Sequence, residues 1–329
     1  MPKRNLDAAD YIQPLNINGL EGRMLYLPTQ NKKYDRDILF VYGQHSSLER
    51  WWGLIKVFSH YGNVTMPDMP GFGGMASLYK IGHTATIDEL ADYLAAFMKL
   101  KYKRRKVTIV AMSLGFATAT RMLQKYPELT DRVEMLVSVV GFSHHDDFIF
   151  PKSRMRMYKL VCGLFSRRLP AAFFQGVFLQ PFYLRRAYKH SRFAKEKLAK
   201  MSGDEFNKTM DMEIVLWRIN DIRTQMKTNV EMFNLNNCGK HINLPVYHVA
   251  SQHDRYFNHV KVEEHFRQIF TDVNVFFTKD PNHAPTIIAD EKTAAPFVPD
   301  GLRKAFAKNP TAKKSQQSSK RSSKRTVKK

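Results

Sequence analysis

A chain of 329 residues that is 43% hydrophobic carries enough apolar material for a full core, which excludes wholesale disorder and suggests one large domain with an insertion. A formal net charge of +22 is high and unevenly placed, and the two cysteines, Cys162 and Cys238, are too few for a disulfide framework or a zinc site, so a reducing compartment is expected. No apolar stretch of secretory length follows the polar start, and the greasiest run, 169–184, is shorter than the roughly 20 residues a bilayer crossing needs; the expectation is a cytoplasmic protein, soluble or peripheral at a membrane surface.

From the amino end, residues 19–27 suggest a hairpin around Gly19. An apolar, β-branched run at 38–42 predicts a strand, helical spacing follows over 48–60, and 63–66 is a short further strand. Thr86, with Asp88 and Glu89 where the helix dipole favours acids, opens a helix over 86–102. Strand 107–111 runs straight into a helix over 114–125, and strand 133–140 follows. From 142 to 234 the alternation stops and the chain is helix-like, aromatic and basic; it resumes with strand 245–250, helix 260–270 and strand 273–277. This pattern predicts an α/β fold, a mainly parallel sheet flanked by helices. Its core is in two parts, 1–141 and 235–308, split by a helical cap over 142–234. Ligands bind at the carboxyl ends of strands in such sheets, so an insertion placed there acts as a lid.

The positive charge gathers in two places. Between 152 and 200, basic residues that include Arg167, Arg168, Arg185 and Arg186 face one acid, Glu196, and are interleaved with aromatics such as Phe165, Phe174 and Phe178. Such a lid either packs its aromatics inward and solvates its charges, or lays an apolar face rimmed by cations against an anionic membrane or an acyl chain. Residues 309–329 contain no acid and little to bury, and are expected to form a disordered basic tail. That tail is either a solubilising extension or a weak electrostatic contact with anionic membrane or nucleic acid. It lacks the aromatics that base stacking uses. No obligate protein partner is indicated.

The most informative residues lie around Ser113, where a strand turns sharply into a helix and Ala111 and Gly115 keep the turn slim. Serine is a poor nucleophile unless a base takes its proton. Gly43 follows strand 38–42, the loop from Asp68 reads Asp-Met-Pro-Gly-Phe-Gly, Asp254 follows strand 245–250, and His283 follows strand 273–277 in an Asn-His-Ala-Pro context. Alone, Ser113 also reads as a helix N-cap and the Gly43 segment as an ordinary turn.

Together these segments resemble the α/β-hydrolase family, whose elbow is Gly-x-Ser-x-Gly, whose oxyanion loop is commonly His-Gly, and which has an Asp-x-Pro-Gly-x-Gly loop. Here Ala111 replaces the first elbow glycine and Tyr42 stands where the loop histidine would be. The resemblance implies a serine hydrolase with Ser113 as nucleophile, His283 as general base and Asp254 orienting it, in the chain order of this fold. It also implies an oxyanion hole from the N–H groups of Gln44 and Leu114, with no metal and no cofactor. Asp146 and Asp147 are rival acids; His45, His60, His83, His144, His145 and His253 are competing histidines. A serine at the elbow argues against the dehalogenase and epoxide-hydrolase branches. The expected substrate is a small apolar or lipid-like ester, and the alternative is a noncatalytic ligand-binding protein of the same fold.

Overall fold

The computed structural model describes residues 7–31, 33–190, 203–279, 283–285 and 289–308. Eight strands form one sheet: β1 (Ile12–Ile17), β2 (Leu20–Leu27), β3 (Asp37–Val41), β4 (Asn63–Pro67), β5 (Val107–Met112), β6 (Val133–Val139), β7 (Ile242–Ala250) and β8 (Phe270–Phe277), in the order β1-β2-β4-β3-β5-β6-β7-β8. The pairs from β4 to β8 are parallel; β1 and β2 are antiparallel additions at one edge. Every residue of β3 and β5 is buried, as befits parallel strands covered on both faces.

The hairpin is real but longer than expected. Asn18 and Gly19 both take left-handed backbone (φ 52° and 80°), the geometry of the tight turn that suits the twist of two paired strands. Its first strand escapes a pattern reading because it lies at the sheet edge with most of its side chains in contact with water, so no apolar alternation marks it.

The flanking helices are α1 (Trp52–Ser59), α2 (Ile87–Tyr102), α3 (Leu114–Lys125), α9 (His259–Ile269), α10 (Glu291–Ala294) and α11 (Asp300–Lys308). Thr86 caps α2 by accepting the Glu89 N–H at 3.2 Å. The carboxyl-terminal α11 carries no motif; it is held by Phe306, whose ring meets Phe58 and Tyr61 and lies under the buried Arg36 guanidinium.

Between β6 and β7 come α4 (Lys152–Phe165), α5 (Arg168–Val177), α6 (Pro181–His190), α7 (Gly203–Ile219) and α8 (Ile222–Met232), with no named strand among the described residues. These helices have a small core of their own around Cys162, Ala171, Leu179, Leu184 and Ile214, separate from the main one. Phe165 and Phe174 pack against it, whereas Phe173, Phe178, Phe182 and Tyr183 are exposed, so the aromatics divide between inward and outward faces. Among the described residues no helix is long and apolar enough to cross a membrane. The basic tail, 309–329, lies outside the described residues.

Candidate active site

Ser113 follows the last residue of β5 and precedes the first of α3, with φ 48° and ψ −121°. A non-glycine residue held there costs about 1–3 kcal/mol, which the surrounding structure must offset. Two features impose the turn. Its N–H donates to the Val139 carbonyl of the neighbouring β6 at 3.2 Å. Gly115 lies so close to β3 that a Cβ would stand 2.4 Å from the Tyr42 carbonyl oxygen and 2.5 Å from that of Val41. The Ser113 side chain makes no capping bond to the helix it opens, so its hydroxyl is not consumed as an N-cap.

Gly43 backs onto the serine: a Cβ there would lie 3.1 Å from the Ser113 Cβ. Next to it, the backbone N–H groups of Gln44 and Leu114 donate to no group among the described residues, the second because the first turn of a helix leaves its donors unpaired. The turn is anchored from the insertion. The Gln44 amide donates to the Gln225 carbonyl at 2.8 Å and contacts the Thr228 hydroxyl at 2.7 Å.

His45, also in left-handed backbone at φ 52°, places Nδ1 3.1 Å from the Gln225 side-chain oxygen, Nε2 3.4 Å from Glu213, and its ring 4.4 Å from that of Trp217. Burial pushes the Glu213 carboxyl up, but His45, with Arg50 and Tyr188, outweighs it and holds the group below its ordinary value. His45 is thus a structural latch. Sequence reading gives His45 only as a competing histidine, because partners such as Gln225 and Asn220, the latter 3.4 Å from Nδ1, lie 180 and 175 residues away in the chain.

Tyr42, in place of the family histidine, has a different task. Its hydroxyl donates to Asp68 Oδ1 at 2.8 Å and accepts the Met69 N–H at 2.9 Å. Asp68 also accepts from Gly74 N–H and pairs with Arg23, and burial pushes its carboxyl up to about 6 despite that cation. The Asp-Met-Pro-Gly-Phe-Gly loop is therefore organised around a buried acid, which ties it to the residue preceding Gly43.

Asp254 and His283 follow β7 and β8 at the same carboxyl edge of the sheet as Ser113. They meet: His283 Nδ1 donates to Asp254 Oδ2 at 2.7 Å, which leaves Nε2 as the ring's accepting nitrogen. The other carboxylate oxygen takes the N–H groups of Tyr256 and Phe257 at 2.8 and 3.2 Å, fixing the acid's orientation. The imidazole rests on the rings of Tyr256 and Phe257, the latter stacked on Phe142 beyond β6. No hydrogen bond links Ser113 Oγ to His283 among the described residues.

The rival acids are engaged elsewhere. Asp147, fully buried, accepts from Ser143 and His144 N–H, both at 2.9 Å, and pairs with His265 at 2.5 Å. Asp146 stands beside His144 and His145, and these three offer ligand atoms within 4.8 Å of one another. Backbone bonds already occupy the Nδ1 atoms of both histidines, which accept from Asp146 N–H and donate to the Leu235 carbonyl. His60 pairs with Glu291 and His83 with Glu89 at the surface. His248, on β7 behind Asp254, contacts Ser138 at 3.0 Å, and burial lowers its pKa to about 3, so it stays neutral.

The alpha/beta hydrolase fold family matches residues 38–290. No curated protein matches the sequence. Among solved structures, an alpha/beta hydrolase, MGS-M2, from a Medee basin deep-sea metagenome library shares 13% identity with a TM-score of 0.62, covering 92% of this chain and 100% of that one. A thermophilic esterase from Thermogutta terrifontis shares 15% identity at TM-score 0.60, with 91% and 100% covered. The epoxide hydrolase CorEH shares 17% at 0.61, with 90% and 98% covered. At these identities the likeness is one of fold, and with the family match it leads to one conclusion: the chain belongs to the alpha/beta hydrolase fold family.

Proposed function

We propose that this hydrolase-family protein is a serine hydrolase that cleaves an ester-type bond of a small apolar or lipid-like substrate, with Ser113 as nucleophile. The observation that carries the reading is the His283–Asp254 hydrogen bond of 2.7 Å at the same sheet edge as the strained, uncapped Ser113. His283 Nε2 accepts the Ser113 proton while Oγ attacks the carbonyl carbon. The developing oxyanion is met by the N–H groups of Gln44 and Leu114. The tetrahedral intermediate collapses, His283 gives its proton to the leaving alcohol, and an acyl-serine remains. Water, losing a proton to His283, attacks that acyl group and the proton returns to Ser113. Asp254 stabilises the imidazolium at both stages without taking the proton itself. The helical insertion serves as the cap that selects substrate.

A fluorophosphonate probe should label the intact protein and neither Ser113→Ala nor His283→Ala, and each variant should lose kcat by up to about 10⁶-fold. A chain-length series of p-nitrophenyl esters then reads the acyl preference. An intact, folded protein that the probe leaves unlabelled would replace this reading with a ligand-binding protein of the same fold.

A further inference from the structure

The first helices of the insertion are apolar on two sides. On α4, Met155 and Cys162 are buried, yet Met157, Leu160, Val161 and Leu164 recur at i, i+3, i+4 and i+7 on the opposite stripe and face water, Leu160 with 77% of its surface exposed. On α5, Ala171 is buried while Leu169 and Phe173, one turn apart, are turned outward, Leu169 at 80%. Phe182 and Tyr183 at the start of α6 are exposed as well. α4 and α5 pack on each other, joined by two residues, so these stripes lie on adjoining helices. Scattered exposed apolar residues need no explanation; helical stripes of them on consecutive helices do.

The same stretch is strongly basic. Residues 152–190 contain nine lysines and arginines and no aspartate or glutamate. Among the described residues, Arg185 is the member of that set paired with an acid, Asp211, and Arg154 lies over the rings of Phe150 and Tyr158.

We propose that this outer face, formed by α4, α5 and the start of α6, docks on an anionic phospholipid bilayer. Leu160, Leu164, Leu169 and Phe173 enter the boundary between headgroups and acyl chains, and the basic side chains meet the lipid phosphates. Charge complementarity selects this occupant. A second copy of the chain in a two-fold contact would set the basic face against itself. Nucleic acid would satisfy the cations and bury none of the aliphatic stripe. The docking stands independently of the chemistry assigned to Ser113.

The 329-residue chain is sedimented with vesicles of phosphatidylcholine alone and of phosphatidylcholine mixed with phosphatidylglycerol, beside the triple variant Leu160→Asp/Leu169→Asp/Phe173→Asp. The three side chains are exposed, so an unchanged thermal melt verifies the fold, and Leu169→Asp alone serves if the triple variant melts differently. Binding to mixed vesicles is expected, falling at least about tenfold on neutral vesicles and in the variant. Several results would overturn the proposal. They are no binding to mixed vesicles, equal binding by the variant, or binding lost on deletion of residues 311–329 with the insertion intact. A dimer that the triple variant dissolves, without vesicle binding by either form, would instead assign the face to a second copy. Duplex DNA binding that matches or exceeds vesicle binding and survives the triple substitution would assign the cations to nucleic acid.

Discussion

Asp254 and Asp147 each hold a histidine, and replacing each by asparagine separates a chemical role from a structural one. In Asp254→Asn the amide oxygen stays with the Tyr256 and Phe257 N–H groups, which can only donate, and the NH₂ group turns to His283 in place of Oδ2. His283 Nδ1 then becomes an acceptor and Nε2 carries the hydrogen, the wrong tautomer for receiving the Ser113 proton. By analogy with an orienting acid in other serine hydrolases, kcat should fall about 10⁴-fold while the melting temperature barely moves. In Asp147→Asn the amide oxygen keeps the two backbone bonds of 2.9 Å and the charge-assisted contact with His265 is lost. That loss is worth about 1.5–3 kcal/mol, or roughly 5 °C in a chain of this size, with kcat essentially unchanged. Hydrolysis of p-nitrophenyl acetate and thermal melts of both variants decide the matter. Loss of activity in Asp147→Asn with activity retained in Asp254→Asn would refute the assignment of the acid.

Three further outcomes are expected. Gly115→Ala should cost about 3 kcal/mol or more because the new methyl meets the Val41 and Tyr42 carbonyls, whereas Ala111→Gly should cost about 1 kcal/mol and keep activity; chemical denaturation compares them. Asp68, near 6 in the folded chain against an ordinary 3.8, binds its proton more tightly when folded, so its contribution is fully present below about pH 3.8 and is lost as pH rises through about 6, a change of about 3 kcal/mol. The melting-temperature advantage of the native chain over Asp68→Asn should therefore shrink between pH 4 and 7, and an advantage that grows would contradict the assignment. Glu213→Gln weakens the hold on His45 and should lower kcat about tenfold through the Gln44 turn with little loss of stability; an unchanged kcat for a short ester would show that the turn is set without it.

The order of strands and helices around Ser113 was legible because parallel strands buried on both faces appear as near-continuous apolar runs, as at 38–41 and, broken only by Thr108, at 107–112. Asp254 and His283 were legible as positions after strands, and their contact is a tertiary fact that one sequence does not contain. The edge strand β1 was hidden by its solvent exposure, and α11 by having only Leu302 and Phe306 as buried anchors. The exchange of a loop histidine for Tyr42 was visible as a departure, but its meaning depends on Asp68, which the fold brings within 2.8 Å across 26 residues of chain. The division of the insertion's aromatics was equally hidden: Phe173 and Phe174 are neighbours in sequence, and packing alone turns one outward and the other inward.

The insertion contributes to the construction of the candidate site. Gln44 and His45 find side-chain partners at Gln225, Thr228 and Glu213, all on α7 and α8, so the backbone that presents the Gln44 N–H is shaped by residues from the insertion. Those inner helices are joined to the outer ones through α6, where Arg185 meets Asp211 at 2.5 Å and the Tyr188 hydroxyl donates to Glu213 at 3.1 Å. Glu213 therefore has the Gln44–His45 turn on one side and α6 on the other, and α6 begins with the exposed Phe182 and Tyr183. In the proposed mechanism the turn that Glu213 supports through His45 is the one whose Gln44 N–H meets the developing oxyanion, and Tyr188 on α6 holds the same carboxylate from its other side.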